Sequence, residues 1–203
     1  METITQVYKG QQLTRTVVKN NILRIWKMSS EEDRHDWYKD ALAYASYVAL
    51  YIDGKKAINK ACGVIAALSP VKTWSHNKTC ALDLVTTGDC GHMKQFKQKA
   101  KDILASDGTD ETILSILNGN KISAFFLNIR YPDVANVITI DRHALSIALG
   151  RWITEEDYRG MTTKQYNFFV HCYVIAATQV GVTPLLMQSA TWVKWRQIKS
   201  EYR

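Results

Sequence analysis

The chain has 203 residues, 46% of them apolar and 22% charged, with a formal charge of +7 at pH 7. This length and balance suit one domain or one two-lobed unit and exclude wholesale disorder, while the positive charge suits a nucleic-acid partner and equally serves solubility. No apolar run approaches membrane length, and the opening Met-Glu-Thr-Ile-Thr lacks the regions of a secretory signal, so a soluble cytoplasmic monomer with no membrane contact is expected.

Helical periodicity dominates and strand-like alternation is scarce. Residues 12–28 place Leu13, Val17, Ile22, Leu23 and Trp26 on roughly one stripe, which predicts a first helix. Ser29, with Glu32 three residues on, reads as a capping box opening a helix over 31–52, closed by Asp53-Gly54. The run 56–68 is almost wholly apolar from Ala61 to Leu68 and is the predicted central buried helix, stopped by Ser69-Pro70. Helices over 73–86 and 93–105 follow, the second basic. A short one over 110–117 comes after the breaker Ser106-Asp107-Gly108-Thr109. Next are a helix over 120–130, a loop at Tyr131-Pro132-Asp133 and a helix over 141–149. The last two, 162–180 and 184–199, are divided by Gly181-Val182-Thr183-Pro184, where Thr183 suits an N-cap with Pro184 behind it. The expected class is all-α.

Cys62, Cys80, Cys90 and Cys172 are widely spaced and form no C-x-x-C pair, which argues against a zinc or iron–sulfur site. Cys62, Cys80 and Cys172 fall in apolar helical runs and read as core thiols. Neither a metal nor a cofactor is expected.

Two segments carry a resemblance. GVIAALSPVKTWSHNKTCALDLV, residues 63–85, is similar to the buried helix, loop and following helix of the endonuclease III-like helix-hairpin-helix (HhH-GPD) DNA glycosylases. GNKISAFFLNI from Gly119, and VITIDRHALSIALG ending at Gly150, resemble their hairpin and catalytic segment, of family form G-x-K-T-A…L-N followed by V-D-T-H-x-x-R. The match runs over about residues 58–150, with the motifs in family order. It implies a two-lobed helical fold without an iron–sulfur cluster, since Cys172 is the only cysteine after Asp141. Residues 58–150 would be the glycosylase-like core, and 1–57 with 151–203 the other lobe. A cleft would be walled by 69–77 and 119–143.

The resemblance also implies roles. Asp141 falls on the family's catalytic aspartate and Lys121 on the lysine of lyase-competent members, with His143 in support and Leu127-Asn128 on the family's Leu-Asn pair. Gly119, Asn120, Val71, Lys72 and Arg142 would contact DNA. Breaking an N-glycosidic bond builds positive charge on the sugar, which a carboxylate stabilises. A neutral amine can attack the anomeric carbon and hold the sugar as a Schiff base, and the positive end of a helix beginning near Asn120 favours that neutral form.

Simpler readings stand beside these. Asp141 is a good N-cap for a helix through Gly150, and Lys121 suits a solvent-facing first turn. Trp74 suits either a base-stacking platform or a packed helix start, and Asn77 either a base or a loop backbone. Lys94, Lys97 and Lys101, with Lys99 nearby, form either a phosphate-facing stripe or a solvated face. Trp192 and Trp195 read as packing residues, and Lys194, Arg196, Lys199 and Arg203 as a basic helix end that complements the dipole.

The pattern also departs from the family. The hairpin, usually L-P-G-x-G, is Ser115-Ile116-Leu117-Asn118-Gly119, so the stretch 115–123 is degenerate. The resemblance puts the family's wedge glutamine on Val71, and an apolar wedge can still unstack a base. Ser69-Pro70-x-x-x-Trp74-x-x-Asn77 is similar to small phage-encoded relatives, including thymine pyrophosphorylase-type enzymes. The expected function is therefore cleavage of the N-glycosidic bond of a damaged or modified DNA base, with a Schiff-base lyase step open to Lys121. The alternatives are a phage enzyme modifying hypermodified thymine, and a catalytically silent DNA-binding module.

Overall fold

The computed structural model describes residues 5–134 and 137–201, without the side chains of 199–201. The chain start, the Lys199 side chain and Arg203, all singled out in the sequence, lie outside the described residues. Two strands, β1 (Thr5–Tyr8) and β2 (Gln11–Thr14), pair antiparallel with Tyr8 opposite Gln11. The helices that follow are α1 (Arg15–Met28), α2 (Trp37–Ala49), α3 (Ala57–Ala67), α4 (Trp74–Thr87), α5 (Lys94–Ala105) and α6 (Asp110–Leu117). After them come α7 (Asn120–Arg130), α8 (Arg142–Leu149), α9 (Glu155–Tyr158), α10 (Thr163–Val180) and α11 (Pro184–Glu201). The class is all-α, with the hairpin as the only sheet among the described residues.

Two expectations near the start are corrected. Residues 12–14 are strand, because Lys9 and Gly10, with φ of 48° and 77°, close a two-residue hairpin of the primed type. Helix α1 begins only after Thr14, whose Oγ1 accepts the Val17 N–H at 3.2 Å. The predicted Ser29–Glu32 capping box is also displaced by one residue. Ser30 and Asp33 make the reciprocal pair: the Ser30 N–H donates to Asp33 Oδ2 at 2.9 Å, and the Asp33 N–H donates to Ser30 Oγ at 3.2 Å. Ser29 instead closes α1. The pair caps a short turn, so α2 starts at Trp37 and stops at Ala49, short of the predicted 52.

The chain divides into two compact units, one from residues 1–37 with 136–203 and one from residues 38–135. The boundaries therefore differ from the 58–150 core read in the sequence. Asp141 and its helix belong to the unit that contains both chain ends, and α2 after Trp37 belongs to the other.

In the first unit α1, α8, α10 and α11 pack on one another, with Val18, Ile22, Leu145, Phe169, Tyr173 and Met187 in a common core. Removing such side chains from water at about 25 cal/mol per Å² is the main term holding these helices together. Thr183 caps α11 as expected, accepting the Leu186 N–H at 3.1 Å. No single helix among the described residues is long and apolar enough to cross a membrane. As a pair α10 and α11 are apolar enough, but they bend by 98° at their junction and spend their apolar residues on this core.

In the second unit α3 is the buried centre, as its composition predicts, with Ala61 through Leu68 excluded from solvent and α4, α5, α6 and α7 packed around it. Gly63 makes the close approach possible: a Cβ there would meet Ile103 Cγ2 and Ile113 Cγ2 at 3.0 Å. Two lysines close helix ends nearby. Lys60 Nζ donates to the Leu104 carbonyl at 2.8 Å, and Lys99 Nζ to the Leu117 carbonyl at 2.5 Å. Both serve carbonyls that lack an intrahelical partner. All four cysteines are buried free thiols. Burial pushes Cys62 up to about 12, which makes it inert.

Candidate functional site

Asp141 is the N-cap of α8. Its Oδ1 accepts the Ala144 N–H at 2.7 Å, a bond worth about 1 kcal/mol to the helix. Its Oδ2 accepts the indole Nε1–H of Trp192 from α11 at 2.9 Å. The Trp192 ring is in turn contacted by His143 edge-on at 6.1 Å, by Trp37 at 5.8 Å and by the Arg196 guanidinium at 4.6 Å. A half-buried carboxylate thus sits at a helix mouth among aromatic rings. Arg142, the expected phosphate contact, lies with Nε 2.9 Å from Glu155 Oε1 as an ion pair whose N–H does not point at the oxygen. Its charge is therefore matched within its own unit.

Three tyrosines hold the segment that presents Asp141. Tyr166 Oη donates to the Ile138 carbonyl at 2.7 Å and accepts the Ile140 N–H at 3.0 Å. Tyr158 Oη donates to the Ile140 carbonyl at 2.7 Å, and Tyr173 Oη to the Ala144 carbonyl at 3.0 Å. Segment 137–140 is neither helix nor strand, so its backbone groups have no ladder, and the hydroxyls supply the missing partners. Burial first, and the Asp141 charge among the further causes, pushes all three phenols up. They remain neutral donors.

The second unit carries the hairpin. Helices α6 and α7, both within their predicted bounds, are joined by two residues only. Asn118 closes α6 in the left-handed region (φ 44°, ψ 67°), and Gly119 precedes α7 with no side-chain cap. Gly119 and Asn120 are exposed, and Lys121 is half-buried in the first turn of α7. The N–H groups of a helix start are in general natural anion donors. Leu127 is partly buried and Asn128 fully buried.

The loop between α3 and α4 holds the other expected residues. Val71 is 68% exposed and sits at φ 54°, a conformation that costs a β-branched residue roughly 1–2 kcal/mol. Lys72 Nζ is tied to the Gly91 carbonyl at 2.9 Å. Trp74 opens α4 half-buried, edge-on to Tyr44 at 6.2 Å, with Lys78 Nζ over both rings. Asn77 is not placed to meet a base: it is 2% exposed, and its Nδ2 donates at 3.1 Å to the Ile65 carbonyl, one of those left open at the end of α3. On α5, Lys97 pairs with Asp89 at 2.7 Å, while Lys94 and Lys101 are exposed.

Sequence reasoning missed several participants. Trp192, read as packing, is the Asp141 partner, whereas Trp195 does pack, 4% exposed and 3.8 Å from the Trp152 ring. Helical spacing puts both tryptophans on one side of α11 and carries no signal that separates them. Trp37 and the three tyrosines were equally silent, because each acts on a segment distant in the chain.

The model of the DUF7178 family, described as a family of unknown function, matches residues 4–199, and the chain belongs to that family. No curated protein and no solved structure matches it.

Proposed function

For this member of the DUF7178 family we propose a DNA-base enzyme of helix-hairpin-helix glycosylase type that cleaves the N-glycosidic bond of a damaged or modified base. The observation that carries the reading is Asp141: a carboxylate fixed at a helix mouth beside half-buried aromatic rings, at the position where the motif order puts the family's aspartate. As the C1′–N bond breaks, its electron pair leaves with the base and C1′ becomes electron-poor, a charge that the carboxylate opposes. In the lyase form the neutral amine of Lys121 bonds to C1′ as the base departs with the C1′–N electron pair and takes up one amine proton. The C1′–O4′ bond then opens, O4′ gains a proton from solvent, and a protonated imine (iminium) at C1′ remains. The two-residue α6–α7 link and the strained, exposed Val71 support the DNA-binding half of the reading.

The test is incubation with duplex oligonucleotides carrying damaged or modified thymines, with borohydride present. Hydride reduces the iminium to a stable amine, so a covalent adduct is expected for the wild type and none for Lys121→Ala. An adduct that survives Lys121→Ala removes the lysine assignment alone. No base release, together with no effect of Asp141→Asn, removes the enzymatic reading. Recovery of an altered nucleoside instead of a free base, read by mass spectrometry, supports the base-modifying alternative.

A second reading, a catalytically silent DNA-binding module, is favoured by the engagement of both Asp141 oxygens in hydrogen bonds. It predicts salt-dependent binding that Asp141→Asn leaves unchanged, with no product.

A further inference from the structure

The loop that carries Val71 is held from below by His92. The Met93 N–H donates to His92 Nδ1 at 2.7 Å, so Nδ1 is unprotonated and Nε2 carries the hydrogen. That Nε2–H faces two carbonyls at once, Leu68 and Pro70, at 3.1 Å each. The ring is braced edge-on by Phe96 at 5.0 Å, and Lys72 ties the same loop to the Gly91 carbonyl. Two short stretches, 68–72 and 91–93, are thereby locked together through one imidazole and one ammonium. The lock faces an open depression of about 490 Å³ whose lining includes Val71, Met93, Lys72 and Lys97. Val71 and Met93 are 68% and 49% exposed, two apolar side chains with lysines around them. A β-branched residue in the left-handed region persists only where its surroundings over-determine it. His92 and Lys72 supply that constraint.

We propose that His92 is a positioning residue that holds Val71, with Met93 beside it, as a fixed apolar tip for insertion into a nucleic-acid duplex. This rests on the DNA reading above and adds to it the device that makes an otherwise strained loop rigid. Partial unstacking of a base step by an apolar wedge costs a few kcal/mol, so a loop that yields under load would not open the duplex. Protonation would place a second N–H against the Met93 N–H and break the lock. The charged groups facing the imidazole are Lys72 from its loop and Lys97 from α5, the latter paired with Asp89. Burial and these cations lower the histidine below its usual value, so the neutral lock is the state near neutral pH.

The test uses the full chain and duplex DNA with 2-aminopurine, whose fluorescence rises on unstacking. The wild type is expected to give a several-fold rise at pH 7.5 that is lost as pH falls below 6.5. His92→Ala should lose the rise while retaining salt-dependent DNA binding, and Val71→Ala should lose it by removing the tip itself. His92→Gln, whose amide N–H replaces Nε2–H, should restore it and give a pH-flat response. A rise that survives in His92→Ala, or that His92→Gln fails to restore, overturns the proposal while leaving the DNA reading intact. A wild type that binds DNA without any rise overturns the proposal alone, and one that binds no DNA overturns both.

Discussion

Trp192 and Asp141 are joined by an indole N–H donating to a carboxylate oxygen at 2.9 Å, across 51 positions of chain. With Ala144 on the other oxygen, the carboxylate is fixed from two sides. Asn is as good a cap as Asp, so the capping and electrostatic roles can be separated. In Asp141→Asn, either the amide group faces the Trp192 N–H or the cap is lost, and one donor goes unanswered. A loss of about 1–2 kcal/mol is expected in urea unfolding. Trp192→Phe should cost roughly 1 kcal/mol, and the double variant should lose less than the sum of the two, because the pair is one interaction.

Tyr166 carries both a donor and an acceptor for segment 137–140. Tyr166→Phe leaves the Ile138 carbonyl and the Ile140 N–H unanswered in a buried position. The expected cost is about 2–3 kcal/mol in urea unfolding, with faster amide exchange at Ile140. Unchanged exchange would show that the hydroxyl does not hold the segment.

The helices were legible because their signals are local. The start of α6 follows the breaker Ser106-Asp107-Gly108-Thr109, whose Thr109 the structure shows as its cap, and the Asn118-Gly119 link divides α6 from α7. Ala61 to Leu68 announced a buried helix by composition alone. The hairpin was lost because Ile22, Leu23 and Trp26 belong to a true helical stripe, completed by Val18 and not by the exposed Val17, that hid the Lys9-Gly10 turn before it. At the candidate site Asp141 was legible as a cap, whereas its partner was not. The Asp141–Trp192 bond, like the tyrosine hydroxyls on Ile138 and Ile140, depends on tertiary approach, for which a single sequence holds no period.

The raised phenols of Tyr158, Tyr166 and Tyr173 predict alkaline behaviour. Below pH 10 folded and unfolded states hold the same tyrosine protons. Above it the unfolded chain ionises while the folded one does not, so the folded state binds more protons and stability falls as pH rises. Tyrosinate absorbance from these residues should therefore appear together with loss of helical circular dichroism. Their ionisation near pH 10 with the helices intact would contradict the burial described.

Gly63 predicts the sensitivity of the second unit. Gly63→Val drives methyl groups into Ile103 and Ile113, which already stand 3.0 Å from a Cβ at that position. Despite better helix propensity than glycine, it should lose about 2 kcal/mol or more in urea unfolding. Ile113→Ala in the same background should recover part of the loss by making room.

The most direct measurement is the single-turnover release of free base from duplex DNA carrying modified thymines, compared between the wild type and Asp141→Asn. Release by the wild type, slowed about 100-fold or more by the substitution, is the predicted result. Equal rates for the two proteins, or no free base from either, would contradict the assignment of nucleobase chemistry to Asp141.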